Sequence, residues 1–235
     1  CKEYDLFLIC DEIYHNLCFN GTSTKPISDL IGDLPAIAMK GISKEVPWPG
    51  ARCGWIEVYN ADKDPMFAQY VESMLNSKMV EVCSTTLPQK AIPPILSHPE
   101  YPKYLAERRN RYEHYSNIAY NLLKEVTGLK VNRTNGAFYM SVVFESGLLN
   151  GTQTLEIKNP EVKTLVEGLV NEEGCATDKR FVYYLLAATG ICVVPISSFC
   201  TDERGFRITL LELDEKEFTQ IFITIANAVT SYLRS

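Results

Sequence analysis

The chain has 235 residues, 46% of them hydrophobic and 22% charged, and a formal net charge of −6. Those proportions are those of a soluble globular protein with one large domain or two modest ones. The negative balance argues against a polyanion as the main partner, because nucleic-acid binders rely on a concentrated positive field. The one basic cluster, Arg108, Arg109 and Arg111, falls in a strongly helical stretch and reads as a solvated or interdomain helix face.

Eight cysteines occur without a Cys-x-x-Cys pair, and Cys10 and Cys192 sit inside apolar runs where a thiol behaves as a small hydrophobe. That usage favours a reducing compartment. No apolar run approaches the roughly 18 residues of a membrane span and no signal peptide is visible, so the expectation is a cytoplasmic protein with neither membrane nor nucleic acid as partner.

Taken in chain order, Leu6 to Cys10 is a continuous apolar run of the kind a strand buried on both faces shows. So central a strand so near Cys1 implies that the chain is the C-terminal portion of a longer polypeptide. A polar loop from Asn20 to Pro35 leads to short strands at Ala36 to Met39 and Gly54 to Tyr59. Asp64-Pro65 has the form of an N-cap with proline at the first helical position, opening a helix to about Met79. Pro88, Pro93, Pro94, Pro99 and Pro102 break the next stretch into short pieces. Then Leu105, Tyr112, Tyr115, Ala119, Leu122 and Val126 recur at helical spacing, predicting a long amphipathic helix that ends at Thr127-Gly128 and bridges two domains.

The remainder predicts a smaller α+β unit. Its strands are Ala137 to Val143, Ile191 to Val194 and Phe206 to Leu211; its helices begin near Pro160, at Thr177 and after Asp214, whose spacing to Glu217 is that of a capping box. The domain plan is therefore 1–100, an interdomain helix 101–128, and a small domain 129–235.

Three residues carry the chemistry. Asp11 directly follows the first strand, so its carboxylate belongs at the C-terminal end, where open α/β sheets bind ligands. Lys44 follows the second strand, flanked by Gly41 and Ser43, which permit a tight turn, and Arg52 follows Pro49-Gly50 just before the third strand. An isolated Asp is more often a cap, and an isolated Lys is usually solvated. In this order, however, they meet the needs of pyridoxal phosphate: an amine for its aldehyde, an acid to keep its pyridinium nitrogen protonated, and a guanidinium that forks onto its phosphate. Tyr14, in the same turn as Asp11, is placed to donate to the ring oxygen.

Asp11-x-x-Tyr14, Ser43-Lys44 and Gly50-x-Arg52-x-Gly54-Trp55 together resemble the signature of the class I/II pyridoxal-phosphate-dependent aminotransferases, the aspartate aminotransferase fold type I. Asn135-Gly136-Ala137-Phe138-Tyr139 is similar to the strand that opens that family's small domain. Val194-Pro195 with Phe199 resembles its loop near the substrate, and Phe206-Arg207-Ile208 resembles the strand carrying the arginine that grips the substrate α-carboxylate.

The resemblance implies an α/β fold, the C-terminal part of the large domain with its mostly parallel sheet plus a small α+β domain. It implies a Schiff base on Lys44, cofactor contacts from Asp11, Tyr14, Ser43 and Arg52, and substrate binding by Arg207 with no metal. The expected activity of the full-length protein is amino-group transfer between an L-amino acid and a 2-oxoacid, in a homodimer. Two positions depart from the family pattern: Gly41 stands where a phosphate-binding serine is common, and Pro195-Ile196 where Pro-Gly is common. A β-lyase of the same fold type and a non-catalytic, aminotransferase-like effector domain share these residues and remain the alternative readings.

Overall fold

A computed structural model describes residues 1–235, and the chain divides into two compact units, Cys1–Asn110 and Arg111–Ser235. In the first, β1 (Leu8–Asp11), β2 (Ala36–Gly41) and β3 (Gly54–Tyr59) form a sheet in that order. β1 runs parallel to β2 with Asp11 opposite Met39, and β3 runs antiparallel to β2 with Gly54 opposite Gly41. Within this chain the sheet thus has one parallel and one antiparallel pairing, an arrangement common where an antiparallel strand borders a parallel sheet.

Each face of this sheet has its own apolar layer. On one, Ala36 and Ala38 pack with Ile27, Leu8, Cys10 and Tyr59. On the other, Ile37, Ile56 and Val58 receive Phe67 and Val71 from helix α1 (Pro65–Lys78). Those two residues lie one turn apart and so share a helix face. Asp64 caps α1 as its sequence predicts, Oδ1 accepting the N–H groups of Met66 at 2.8 Å and Phe67 at 3.1 Å.

Within this chain β1 lies at one edge of the sheet, and Ile9 is 45% exposed. One reading needs correction: of the prolines, only Pro99 falls in a break between helices, for α2 runs from Thr86 to Leu96 through Pro88, Pro93 and Pro94. Pro88 stands at the third helical position, where its missing N–H would have had no partner inside the helix. Pro93 and Pro94 fall in the last turns, where only two ladder bonds are forfeited.

Helix α3 (Tyr101–Leu123) starts earlier than its apolar repeat, with Pro102 in its first turn. The second unit then forms an antiparallel sheet in the order β4 (Leu129–Val131), β5 (Tyr139–Phe144), β7 (Gly205–Thr209), β6 (Val194–Pro195). It packs with α4 (Pro160–Val170), α5 (Thr177–Thr189) and α6 (Glu215–Arg234). Its core is aromatic: Phe144, Phe181 and Phe206 lie within 5.8 Å of one another, and Tyr232 is 5.1 Å from Phe181. Gly190 ends α5 in the left-handed region at φ 78°, and Asp214 caps α6 through the Lys216 and Glu217 N–H groups.

Candidate active site

Register fixes where the chemistry gathers. Because β1 and β2 are parallel, both end at the same edge of the sheet, and antiparallel β3 begins there. Neighbouring strands are about 4.8 Å apart. Asp11, the turn bearing Tyr14, the Ser43-Lys44 loop and Arg52 therefore all belong to one edge of the first unit. Arg207 belongs to the second unit and is described with it.

The Lys44 ammonium lies 5.7 Å from the centre of the Tyr14 ring, so these two predicted residues are brought together. Ser43, beside Lys44, is half-buried. Asp11 is exposed, and its Oδ1 accepts the Ile13 N–H at 3.1 Å. Arg52 is exposed and its guanidinium folds back, Nη1 donating to the Pro49 carbonyl at 3.1 Å. Its backbone sits in the left-handed region at φ 48°, costly for a residue other than glycine.

Glycine at 41, the departure from the family pattern, has a packing cause. A Cβ there would lie 3.1 Å from both the Cys53 carbonyl oxygen and Ile13 Cδ1, and a Cβ on Gly54 would lie 2.9 Å from the Lys40 carbonyl oxygen. The two glycines face each other across β2 and β3 and bring the loop carrying Lys44 close to the one carrying Arg52.

Lys40, the neighbouring amine, is committed elsewhere. It pairs with Glu57 at 2.9 Å and with buried Glu12 at 3.4 Å. Burial alone would lower its pKa, but the hydrogen bond and charge of Glu57, with the charge of Glu12, raise it on balance. Glu57 also accepts from Tyr59 Oη at 2.5 Å and Trp55 Nε1 at 3.2 Å. Those donors and Lys40 outweigh its burial and hold the carboxyl below the usual range.

Three residues that sequence reasoning passed over hold the Lys44 loop. Arg108, read as part of a helix face, is buried and donates from Nη2 to the Lys44 carbonyl at 3.1 Å. Glu45 accepts from Asn16 twice, from the backbone N–H at 2.7 Å and from Nδ2 at 3.0 Å, tying the loop to the Asp11–Tyr14 turn. Burial and the adjacent Glu45 charge push the Tyr101 phenol up to about 12. Asn16, Lys40, Glu45, Glu57 and Tyr101 line a cavity of about 310 Å³. The available signal for Arg108 was its place four residues from both Tyr104 and Tyr112 on the helix.

In the second unit Arg207 is half-buried on β7, opposite Ser141 on one side and Val194 on the other. Its guanidinium carbon lies 4.5 Å from the Tyr139 ring centre and 4.3 Å from that of Phe199. Both are cation–π distances, and rings at that range restrict the side chain's freedom.

These arrangements have counterparts in known proteins. The family profile described as aminotransferase class I and II matches residues 1–223. An uncharacterised aminotransferase of Methanocaldococcus jannaschii is 54% identical over 234 residues, which is 100% of this chain and 54% of that protein. A tyrosine aminotransferase of Caenorhabditis elegans is 36% identical over 60% of this chain and 30% of its own length. Among solved structures, an alanine aminotransferase of Pyrococcus furiosus superposes with a TM-score of 0.72 at 24% identity, over 96% of this chain and 50% of that one. An Escherichia coli aminotransferase gives 0.76 at 20% identity, over 98% and 51%. The chain thus spans about half the length of the Methanocaldococcus, Pyrococcus and Escherichia proteins. With the profile covering nearly all of it and the fold of its neighbours being that of fold type I, the chain belongs to the class I and II aminotransferases, whose members use pyridoxal phosphate.

Proposed function

We propose that this chain supplies the anchoring amine, the ring acid and the phosphate arginine of an enzyme that moves an amino group between an L-amino acid and a 2-oxoacid. The observation that carries the reading is the shared sheet edge: Asp11, Lys44 and Arg52 leave or enter it on three adjacent strands, with Tyr14 against Lys44. The donor set fits pyridoxal phosphate, one amine, one carboxylate, one phenol and one guanidinium.

When bound, the cofactor supplies an electron sink for the charge left as a substrate Cα–H bond breaks. Lys44 anchors it covalently, Asp11 holds a proton at its ring nitrogen, Tyr14 donates to its ring oxygen, and Ser43 and Arg52 bind its phosphate. Once displaced by substrate, the Lys44 amine would take the proton from the substrate Cα as general base and deliver it, as general acid, to the C4′ carbon of the cofactor, so that the amino group stays with the cofactor. Arg207 fixes the substrate carboxylate through its two-pronged fork, which orients the Cα–H bond.

The anchoring is tested on this chain by incubation with pyridoxal phosphate, borohydride reduction and peptide mass mapping. A pyridoxyl group on Lys44 that disappears in Lys44→Ala is the expected result; the group on Lys40, or on no lysine, defeats the assignment. The reaction is tested with an amino donor and a 2-oxoacid, and pyruvate plus ammonia released without any acceptor would identify a lyase instead.

A further inference from the structure

Asp178 is the most completely enclosed carboxylate in the second unit, with no exposed surface, and nothing derived above employs it. It stands at the second position of α5, where the helix dipole favours an anion. That alone would be an ordinary helix-terminal acid. Its partners lie elsewhere, however. Oδ2 accepts the N–H of Ser197 at 2.9 Å and the N–H of Gly205 at 3.3 Å. Oδ1 accepts Ser197 Oγ at 2.7 Å and the Lys179 N–H at 2.9 Å.

Ser197 and Gly205 are the two ends of the connection between β6 and β7. One oxygen thus ties both ends together at the neck of the loop. Each end leads to the Arg207 site within two residues: Ser197 to Phe199, whose ring is 4.3 Å from the guanidinium, and Gly205 to Arg207 itself. Gly205 leaves little slack, since a Cβ there would lie 2.1 Å from the Val142 carbonyl oxygen. Phe199 is 45% exposed and so has little packing of its own to hold it. Its position depends on the loop's ends.

We propose that Asp178 is the positioning residue of the Arg207 site: by closing the Ser197–Gly205 loop it holds Phe199 against the guanidinium and so presents Arg207 in one orientation to a carboxylate. The inference rests on the reading of Arg207 as the group that binds the substrate carboxylate.

The test is NMR of the whole chain, following the Arg207 Nε–H group and side-chain protons, with pyruvate as probe and pyruvamide as its uncharged control. In the parent chain the neighbouring rings displace the Arg207 proton shifts, and pyruvate, but not pyruvamide, moves them saturably. In Asp178→Asn the ring-induced displacement shrinks by more than half and the pyruvate dissociation constant rises at least tenfold, while β5 amide shifts stay in place. Ser197→Ala, which removes one of the four donors and spares the backbone, weakens pyruvate about two- to fivefold in the same direction. Phe199→Leu reproduces the loss of displacement with Asp178 intact. A folded Asp178→Asn chain that keeps both the displacement and the affinity overturns the proposal, as does an unaltered Ser197→Ala chain should Asp178→Asn fail to fold. Pyruvate that leaves Arg207 unmoved in the parent chain defeats the carboxylate role of Arg207 alone, because the ring displacement reads the clamp by itself.

Discussion

Two lysines four residues apart have opposite fates, and the difference lies in what surrounds each amine. Lys40 is held between Glu12 and Glu57, while Lys44 lies over the Tyr14 ring. Lys40→Met removes the cation paired with Glu12, which is only 8% exposed and whose Oε2 accepts no hydrogen bond to offset the loss. The cost is about 2–3 kcal/mol, between that of an exposed ion pair and a buried one, measured as a fall in denaturation midpoint. Covalent capture at Lys44 is unaffected. The sign of the pH dependence follows from the directions of the shifts. Lys40 is raised, so its contribution is complete below the ordinary lysine range and fades as pH climbs through its folded pKa. Glu57 is lowered, so its contribution is complete above the ordinary glutamate range and fades as pH falls through its folded pKa. Lys40→Met therefore flattens both arms of the stability profile; a profile parallel to that of the parent chain would contradict the pairing.

At the scale of elements, the close crossing of β2 and β3 governs the site. Gly54→Ala puts a methyl group 2.9 Å from the Lys40 carbonyl oxygen, a backbone atom that cannot rotate aside. The expected loss is about 1–3 kcal/mol, the cost of overpacking, and binding of pyridoxal phosphate weakens with it because the loops on either side move apart. Calorimetric melting and a phosphate-competition titration read the two effects separately. Elements whose ends are written in local chemistry were legible in the sequence: Asp64-Pro65 opens α1, and Asp214 opens α6. So was the placement of Asp11, Lys44 and Arg52 at or near strand ends, which is a local property. The prolines misled at α2 because their cost depends on place within the turn, which composition does not carry. β4 is three residues long, too short for periodicity to register. Arg108, Glu45 and Asp178 act through partners 64, 29 and 19 residues away, a separation that no spacing rule reaches.

The whole molecule divides unevenly in the apolar mass that holds its two units. Among the largest fully buried side chains, Leu17, Ile37 and Ile42 belong to Cys1–Asn110, whereas Tyr112, Phe181, Phe206, Phe218, Phe222 and Tyr232 all belong to Arg111–Ser235. Fully burying one such side chain contributes about 1.5–3 kcal/mol, so the second unit has the larger reserve. Within this chain the sheet of the first unit has three strands, and Ile9 on β1 is exposed. Unfolding should then proceed in two steps, with β1–β3 opening at least about 2 kcal/mol below β5, β7, α5 and α6, the pattern expected of separate cooperative units. Native-state hydrogen exchange measures this amide by amide, and equal protection in both units would rule it out. Because the proposed cofactor residues all lie in the weaker unit, saturating pyridoxal phosphate at 100 times its dissociation constant should stabilise that unit by about 2.7 kcal/mol. Protection then rises in β1–β3 and the gap closes from below. A cofactor that slowed exchange in β5 and β7 while leaving β1–β3 unchanged would locate its binding in the other unit and contradict the assignment of Asp11, Lys44 and Arg52 together.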